Sequence, residues 1–212
     1  MKSGESLTLF DNSINLDIEL VDQTFSTKNK LFGSITRIES NKKILPEIIL
    51  MPCILKRDAF EEIIYAAAQM AVTKIIPLIS AKVQRSWGGN KEMERMTNIM
   101  ISACEQSKSF IIPELNSPVK IQDISRHLEN QKSIIKAYFD PAGQNIFTLL
   151  KTLDQKNKPA VALLFGPEGG LTNDEEKIIA GAGFETYALT PTILRSREAV
   201  FVGLGSVRSV AR

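Results

Sequence analysis

The sequence predicts an α/β protein, a small β-rich unit over residues 1–45 followed by a strand–helix domain over 46–212. Three observations predict it. Up to about residue 45, apolar and polar positions alternate with period two between short turn signals. Beyond the linker-like Asn41–Pro46, apolar runs alternate with helical patterns, as in a layered fold with a largely parallel sheet. Late in the chain, the apolar run Ala160–Phe165 stops at Gly166-Pro-Glu-Gly-Gly170 and a helix start follows at once.

The elements follow in order. SLTLF, LDIELVDQTF and LFGSITRIES read as strands with turns at DNS and TKNK. EIILMPCI is an apolar strand, and RDAFEEIIYAAAQMAV a helix with Asp58 placed to cap it and Glu61 three residues on. TKIIPLI reads as one further strand. NKEMERMTNIMISACEQS is a helix with Met93, Met96, Met100 and Cys104 on a core-facing side. SIIKAYF and AVALLF are buried strands flanking a helix within GQNIFTLLKTL. Thr172 and Glu175 form a capping box for NDEEKIIAGAG, which Gly181 or Gly183 ends. ETYAL is a last strand, and a helix begins at about Arg195.

Composition narrows the chemistry. The 212 residues are 43% hydrophobic with a net charge of +2, so bulk electrostatics do not announce a nucleic-acid binder. The charge is uneven, since Pro191–Arg212 holds Arg195, Arg197, Arg208 and Arg212 against one acid, Glu198. Such a run is either a solvated face or a phosphate-binding surface. Two cysteines without a CxxC pair and a single His127 argue against a metal site or a disulfide framework, and suit core cysteines in a reducing cytoplasm. His127 sits in a polar helical stretch without a nucleophile motif and reads as a surface residue. No apolar segment is long enough to cross a membrane and none resembles a signal peptide, which predicts a soluble, cytoplasmic protein.

The glycine loop is either a tight turn or a place where backbone meets a ligand. It lacks the lysine of a P-loop and comes too late in the chain for a dinucleotide-type glycine loop. LLFGPEGGLTNDEEKIIAGAGFETYALTPTILR resembles the C-terminal signature of the ribosomal RNA small-subunit methyltransferase E family (RsmE), of the SPOUT superfamily. ILKRDAFEEIIYAAAQMAVTKIIPLIS, QRSW and ACEQSKSFIIPEL resemble further segments of that family in the same order, and MKSGESLTLFDN resembles part of its N-terminal domain. Four places depart from the family pattern: Thr190 where a glycine is usual, Ser196-Arg197-Glu198-Ala199 after Arg195, Ser109 in place of an arginine, and Gln69–Val72.

The resemblance implies a SPOUT-type C-terminal domain with a trefoil knot, and a small PUA-like RNA-binding domain that begins part-way through the family's. It implies methylation of N3 of a uridine in 16S-type ribosomal RNA or the small ribosomal subunit by S-adenosylmethionine (SAM), in a homodimer without a metal. Carried over by position, Leu164, Gly166, Glu168, Gly169 and Gly170 would hold the cofactor, with Glu168 near its methionine end. Leu189, Thr190, Ile193 and Leu194 would surround the adenine. Arg195 would be catalytic, and Arg85 and Arg197 would contact RNA.

The chemistry asks for such an arginine. Uridine N3 carries a proton and is a poor nucleophile until that proton leaves, so a cation beside the base favours the anion that must form. Arg195 alternatively anchors a phosphate. Two other functions stay open at this stage: a SPOUT methyltransferase with another RNA target, and an RNA- and SAM-binding protein impaired in catalysis.

Overall fold

A computed structural model describes residues 4–21, 32–83, 85–129, 133–154 and 160–210. The turn expected at TKNK and Gln84 of QRSW lie outside the described residues.

The N-terminal residues form an antiparallel sheet of β1 (Ser6–Phe10), β2 (Ile14–Leu20) and β3 (Gly33–Ser40). Asp11 turns the first corner, its Oδ1 accepting from the amides of Ser13 and Ile14. Asn12 and Asn41 dock the sheet on the rest of the chain: Asn12 exchanges hydrogen bonds with the Ile112 backbone, and Asn41 Nδ2 donates to Asp11 and Phe110 carbonyls. Phe10 meets Phe110 at 5.2 Å between ring centroids.

The second sheet has six strands in the order β11-β9-β10-β4-β5-β7, every pair parallel. The strands are β4 (Ile48–Pro52), β5 (Lys74–Ile75), β7 (Glu114–Leu115), β9 (Ile134–Asn145), β10 (Ala160–Phe165) and β11 (Glu185–Ala188). β6 (Leu78–Ile79) and β8 (Val119–Lys120) pair separately. The central strands β4 and β10 are apolar throughout because both faces are covered. Ile48, Leu50, Val161, Leu163 and Phe165 face a core with α1 (Arg57–Gln69), α2 (Asn90–Ser107), α3 (Phe147–Leu153) and α5 (Ser196–Ser209). Ile49, Met51, Ala162 and Leu164 face a second core under α4 (Asn173–Gly181) and a 3-10 turn at Ile121–His127.

Several expectations are corrected. TKIIPLI is two strands, because Pro77 divides β5 in the large sheet from β6 in the small one. Asp58 does not cap α1; Lys56 is the N-cap and supplies no side-chain bond, while Glu61 pairs with Arg95. Met96, Met100 and Cys104 are buried, whereas Met93 is half-buried. The 143–145 part of GQNIFTLLKTL is strand, not helix. Val200, Leu204 and Val207 of α5 pack into the chain's own core. The capping box of Thr172 and Glu175 is present, and Gly183 at φ +85° follows α4. Cys53 and Cys104 are buried, and His127 is exposed.

Candidate functional site

Parallel strands bring their carboxyl ends to one edge, and loops leaving that edge enclose ligands. Here the joins after β4, β10 and β11, with an irregular stretch inside β9, surround a cavity of about 610 Å³, within the range of small-molecule sites. Its glycine-loop wall is Phe165–Glu168 and Gly170, and the facing wall is Leu189, Thr190 and Thr192–Arg195. Tyr138–Pro141 close one side and Lys56 another.

Each wall has a local cause. Gly170 turns at φ +68°, a conformation that L side chains rarely adopt. Its amide donates to the Pro167 carbonyl at 3.0 Å, closing the loop tightly. The β9 wall comes from an interruption: Tyr138 pairs with Thr186 and Gln144 with Tyr187, so residues 139–143 bulge out of register. Gly143 lets the strands meet there, since an added Cβ would lie 2.5 Å from the Tyr187 amide nitrogen. The bulge delivers Asp140 to the cavity, where Oδ1 accepts from the Ala142 amide at 2.8 Å. Tyr138 donates toward Asp140 Oδ2 at 3.5 Å. Burial, then the Asp140 charge, pushes the Tyr138 phenol well above its usual range, so it stays a proton donor. In the facing wall, Thr190 Oγ1 donates to the Thr192 carbonyl at 2.6 Å and folds the loop that ends at Arg195.

The floor is aromatic. Phe139 and Phe165 stack at 4.7 Å, and Gly203 of α5 makes room for them, since a Cβ there would lie 2.7 Å from Phe165 Cζ. Arg195 is the N-cap of α5 and exposed, and no hydrogen bond or ion pair ties its guanidinium among the described residues. The charged groups lining the cavity are Lys56, Asp140, Glu168 and Arg195.

Of the residues carried over by resemblance, Gly166, Glu168, Gly170, Leu189, Thr190, Ile193, Leu194 and Arg195 line this one cavity. Ile193 sits at its rim, 83% exposed. Leu164 does not reach it; the side chain is fully buried in the core under α4. Gly169 is outside the lining as well, and a Cβ there would meet Lys82 at 3.5 Å. Arg85 and Arg197 are elsewhere and already paired. Arg85 bonds the buried Glu92 and the Leu55 carbonyl, beside the rings of Phe60 and Trp87. Arg197 pairs with Glu62 and Glu198. Lys56, Tyr138 and Asp140 escaped the sequence reading; Asp-Pro-Ala-Gly at 140–143 was the available sign that β9 breaks there. Among the described residues, no group of three or more His, Cys, Asp or Glu could hold a metal ion, and no helix is long and apolar enough to cross a membrane.

A crevice at the carboxyl edge of a parallel sheet, walled by a glycine loop and a cation-bearing helix start, is where open α/β sheets hold their ligands. Residues 41–208 match the model of the RNA methyltransferase domain family, and the chain belongs to that family. The resemblance read from the glycine loop is borne out by relatives. The ribosomal RNA small subunit methyltransferase E of Rickettsia conorii is 29% identical over 98% of this chain and 82% of its own length. The protein of that name from Mesomycoplasma hyopneumoniae is 28% identical over 78% of this chain and 70% of its own. A methyltransferase from Legionella pneumophila, solved with bound SAM, superposes with a TM-score of 0.84 at 29% identity, over 99% of this chain and 84% of that one. The Neisseria gonorrhoeae ribosomal RNA small subunit methyltransferase E, also solved with SAM, shares the fold at TM-score 0.83 and 22% identity, over 99% of this chain and 85% of that one.

Proposed function

We propose that this chain methylates N3 of a uridine in small-subunit ribosomal RNA, using SAM. The observation that carries the reading is the convergence of the glycine loop, Leu189, Thr190, Thr192–Leu194 and Arg195 on one cavity. The names of the relatives supply the reaction class and the RNA.

The residues present suit the cofactor. Gly166 and Gly170 bring backbone to the surface of the cavity, and neutral backbone groups of 189–194 with Leu194 and Ile193 beside them suit an adenine. Asp140 and Glu168 suit the cationic part of the molecule. When bound, SAM supplies an electrophilic methyl group on a positively charged sulfur. Arg195 holds the uridine and favours loss of its N3 proton by stabilising the charge that spreads onto the flanking carbonyl oxygens. The stacked Phe139–Phe165 floor excludes water beneath the site.

The reading extends to the whole chain. Residues 1–45 act as a PUA-like RNA-binding unit and 46–212 as a SPOUT domain with a trefoil knot, working as a cytoplasmic homodimer without metal. Arg197 reaches RNA only by exchanging Glu62 for a phosphate, and Arg85 only by abandoning Glu92. The deciding experiment is mass spectrometry of ribosomal RNA nucleosides from cells with and without the gene. N3-methyluridine should vanish with the gene; an unchanged content rules the reaction out. Methyl incorporation by the purified protein separates an enzyme from a protein that merely binds SAM and RNA. Arg195→Ala should lower the saturated rate on the order of 10²–10³-fold, with SAM affinity kept; a normal saturated rate would end the catalytic role.

A further inference from the structure

The sheet order places the four charged residues of the cavity in a pattern. Along β11-β9-β10-β4, Arg195 follows β11, Asp140 lies on β9, Glu168 follows β10 and Lys56 follows β4. The charges therefore run positive, negative, negative, positive. Both cations are N-caps, Lys56 of α1 and Arg195 of α5, and neither helix start has a capping side chain. Each cation thus stands at the positive end of a helix of 13 or 14 residues. Lys56 is exposed, and no hydrogen bond or ion pair ties its ammonium among the described residues.

We propose that Lys56 is a second catalytic cation, paired in function with Arg195 across the target uridine; this rests on the uridine-N3 reading above. The reasoning is chemical. Removing the N3 proton spreads negative charge over two carbonyl oxygens, O2 and O4, one on each side of N3. A single guanidinium cannot flank both while leaving N3 open to the incoming methyl. Two cations entering from opposite ends of the cavity can. Strands pack about 4.8 Å apart, so the joins after β11 and β4 are about 14 Å apart, a gap that two long side chains close around a pyrimidine ring. Asp140 on the β9 bulge and Glu168 on the join after β10 then face the positively charged donor. In the step itself, N3 gives its proton to water, the N3–CH3 bond forms as the methyl–sulfur bond breaks, and S-adenosylhomocysteine leaves. The arrangement also selects uridine over cytidine, whose amino group at the O4 position would meet a cation with its own donors.

The test uses full-length protein, a ribosomal RNA fragment containing the target, and single-turnover methyl transfer at saturating RNA and SAM. Lys56→Ala should lower the rate on the order of 10²-fold near neutral pH. The deficit should shrink to under about tenfold near the pH where free uridine loses its proton, and Lys56→Arg should recover most of the rate. SAM affinity by calorimetry should stay within about twofold, because the inner carboxylates hold that ligand. A 4-thiouridine target, whose N3 proton is more acidic, should narrow the gap between wild type and Lys56→Ala. The idea is overturned if the saturated rate of Lys56→Ala is normal, with only RNA affinity lost, since Lys56 would then hold a phosphate. It is equally overturned if the deficit is the same at both pH values. Failure of the underlying reading looks different: wild type itself would then yield no N3-methyluridine in the product.

Discussion

Lys82 and Gly169 belong to different strand–helix joins, yet Lys82 Nζ donates to the Gly169 carbonyl at 3.0 Å and to the Leu171 carbonyl at 3.1 Å. From the other side Glu175 Oε1 accepts from the Ala81 amide at 2.7 Å, and its Oε2 accepts from the Thr172 amide at 2.9 Å. The glycine loop is thus strapped to the 80–82 turn by a cation outside the cavity. Gly169 itself is outside the cavity lining, and a Cβ there would rest at ordinary van der Waals distance, 3.5 Å, from the Lys82 stem.

The strap predicts a selective defect. Lys82→Met keeps the stem but removes both donors, and should weaken SAM binding about fivefold, with a thermal melt close to wild type. Such a factor corresponds to about 1 kcal/mol, the net size of an ordinary hydrogen bond, as suits donors on an exposed side chain that water replaces in part. Calorimetry with SAM reads the first and differential scanning the second. Unchanged affinity means that the loop holds its shape without Lys82.

Arg85 and Glu92 form a buried pair, with side chains 19% and 6% exposed. Burial opposes the Glu92 charge, but the Arg85 hydrogen bond and the Gly88 amide outweigh it and hold the carboxyl below its usual range. A depressed folded value stabilises the protein above the unfolded carboxyl range, near 4.3, and that contribution disappears as pH falls through the folded value. Glu92→Gln should therefore flatten the loss of stability below about pH 4.5 in urea titrations. Arg85→Ala should cost about 3–5 kcal/mol at neutral pH by stranding the carboxylate. Loss of RNA affinity with intact stability would instead restore Arg85 to RNA binding.

The two glycines of α5 separate by surroundings. A Cβ at Gly203 would lie 2.7 Å from Phe165 Cζ and 3.5 Å from Phe139, while nothing lies within 4 Å of one at Gly205. Gly203→Ala should cost about 1–3 kcal/mol through overpacking, and should lower SAM affinity because both rings line the cavity. Gly205→Ala, in an exposed helix interior, should stabilise the chain by about 0.5–1 kcal/mol. Equal effects in denaturant titrations would contradict this packing.

What could be read from sequence follows the range of the interactions involved. α2, β10 and the Thr172–Glu175 box depend on neighbours a few residues away, and all three appear where the pattern put them. The errors depend on distant partners. Glu61, which looks like half of a capping box, is taken by Arg95, and the bulge in β9 exists only against β11. The site divides the same way. The glycine loop and Arg195 carry local signals, whereas Lys56 and Asp140 enter the cavity only because parallel pairing gathers three joins and the β9 bulge at one edge.

Arg208 shows the same principle and yields the last prediction. Within a basic run that reads as a solvated face or a phosphate-binding surface, its side chain is half-buried and joins three segments. Nε donates to the Met70 carbonyl at 2.9 Å and Nη2 to that of Ala71 at 3.0 Å, just past the end of α1. Nη1 donates to the Pro46 carbonyl at 3.0 Å and the Ile44 carbonyl at 3.3 Å, in the linker after the N-terminal sheet. Burial pushes the guanidinium down to about 10, still far above neutrality, so the clasp is cationic in the working protein. Arg208→Met removes four bonds at once, but water can reach some of the released carbonyls. The net loss should be about 2–4 kcal/mol, since bonds to a charged donor contribute roughly 1.5–3 kcal/mol each when fully buried. Arg208→Lys should recover less than half, because one ammonium cannot serve the planar fan of acceptors. Denaturant titration gives the magnitude, and limited proteolysis gives the place: cleavage within residues 41–46 should accelerate in Arg208→Met before the core opens. A variant that loses stability without faster cleavage there would show that Arg208 secures the end of α1 alone, not the linker.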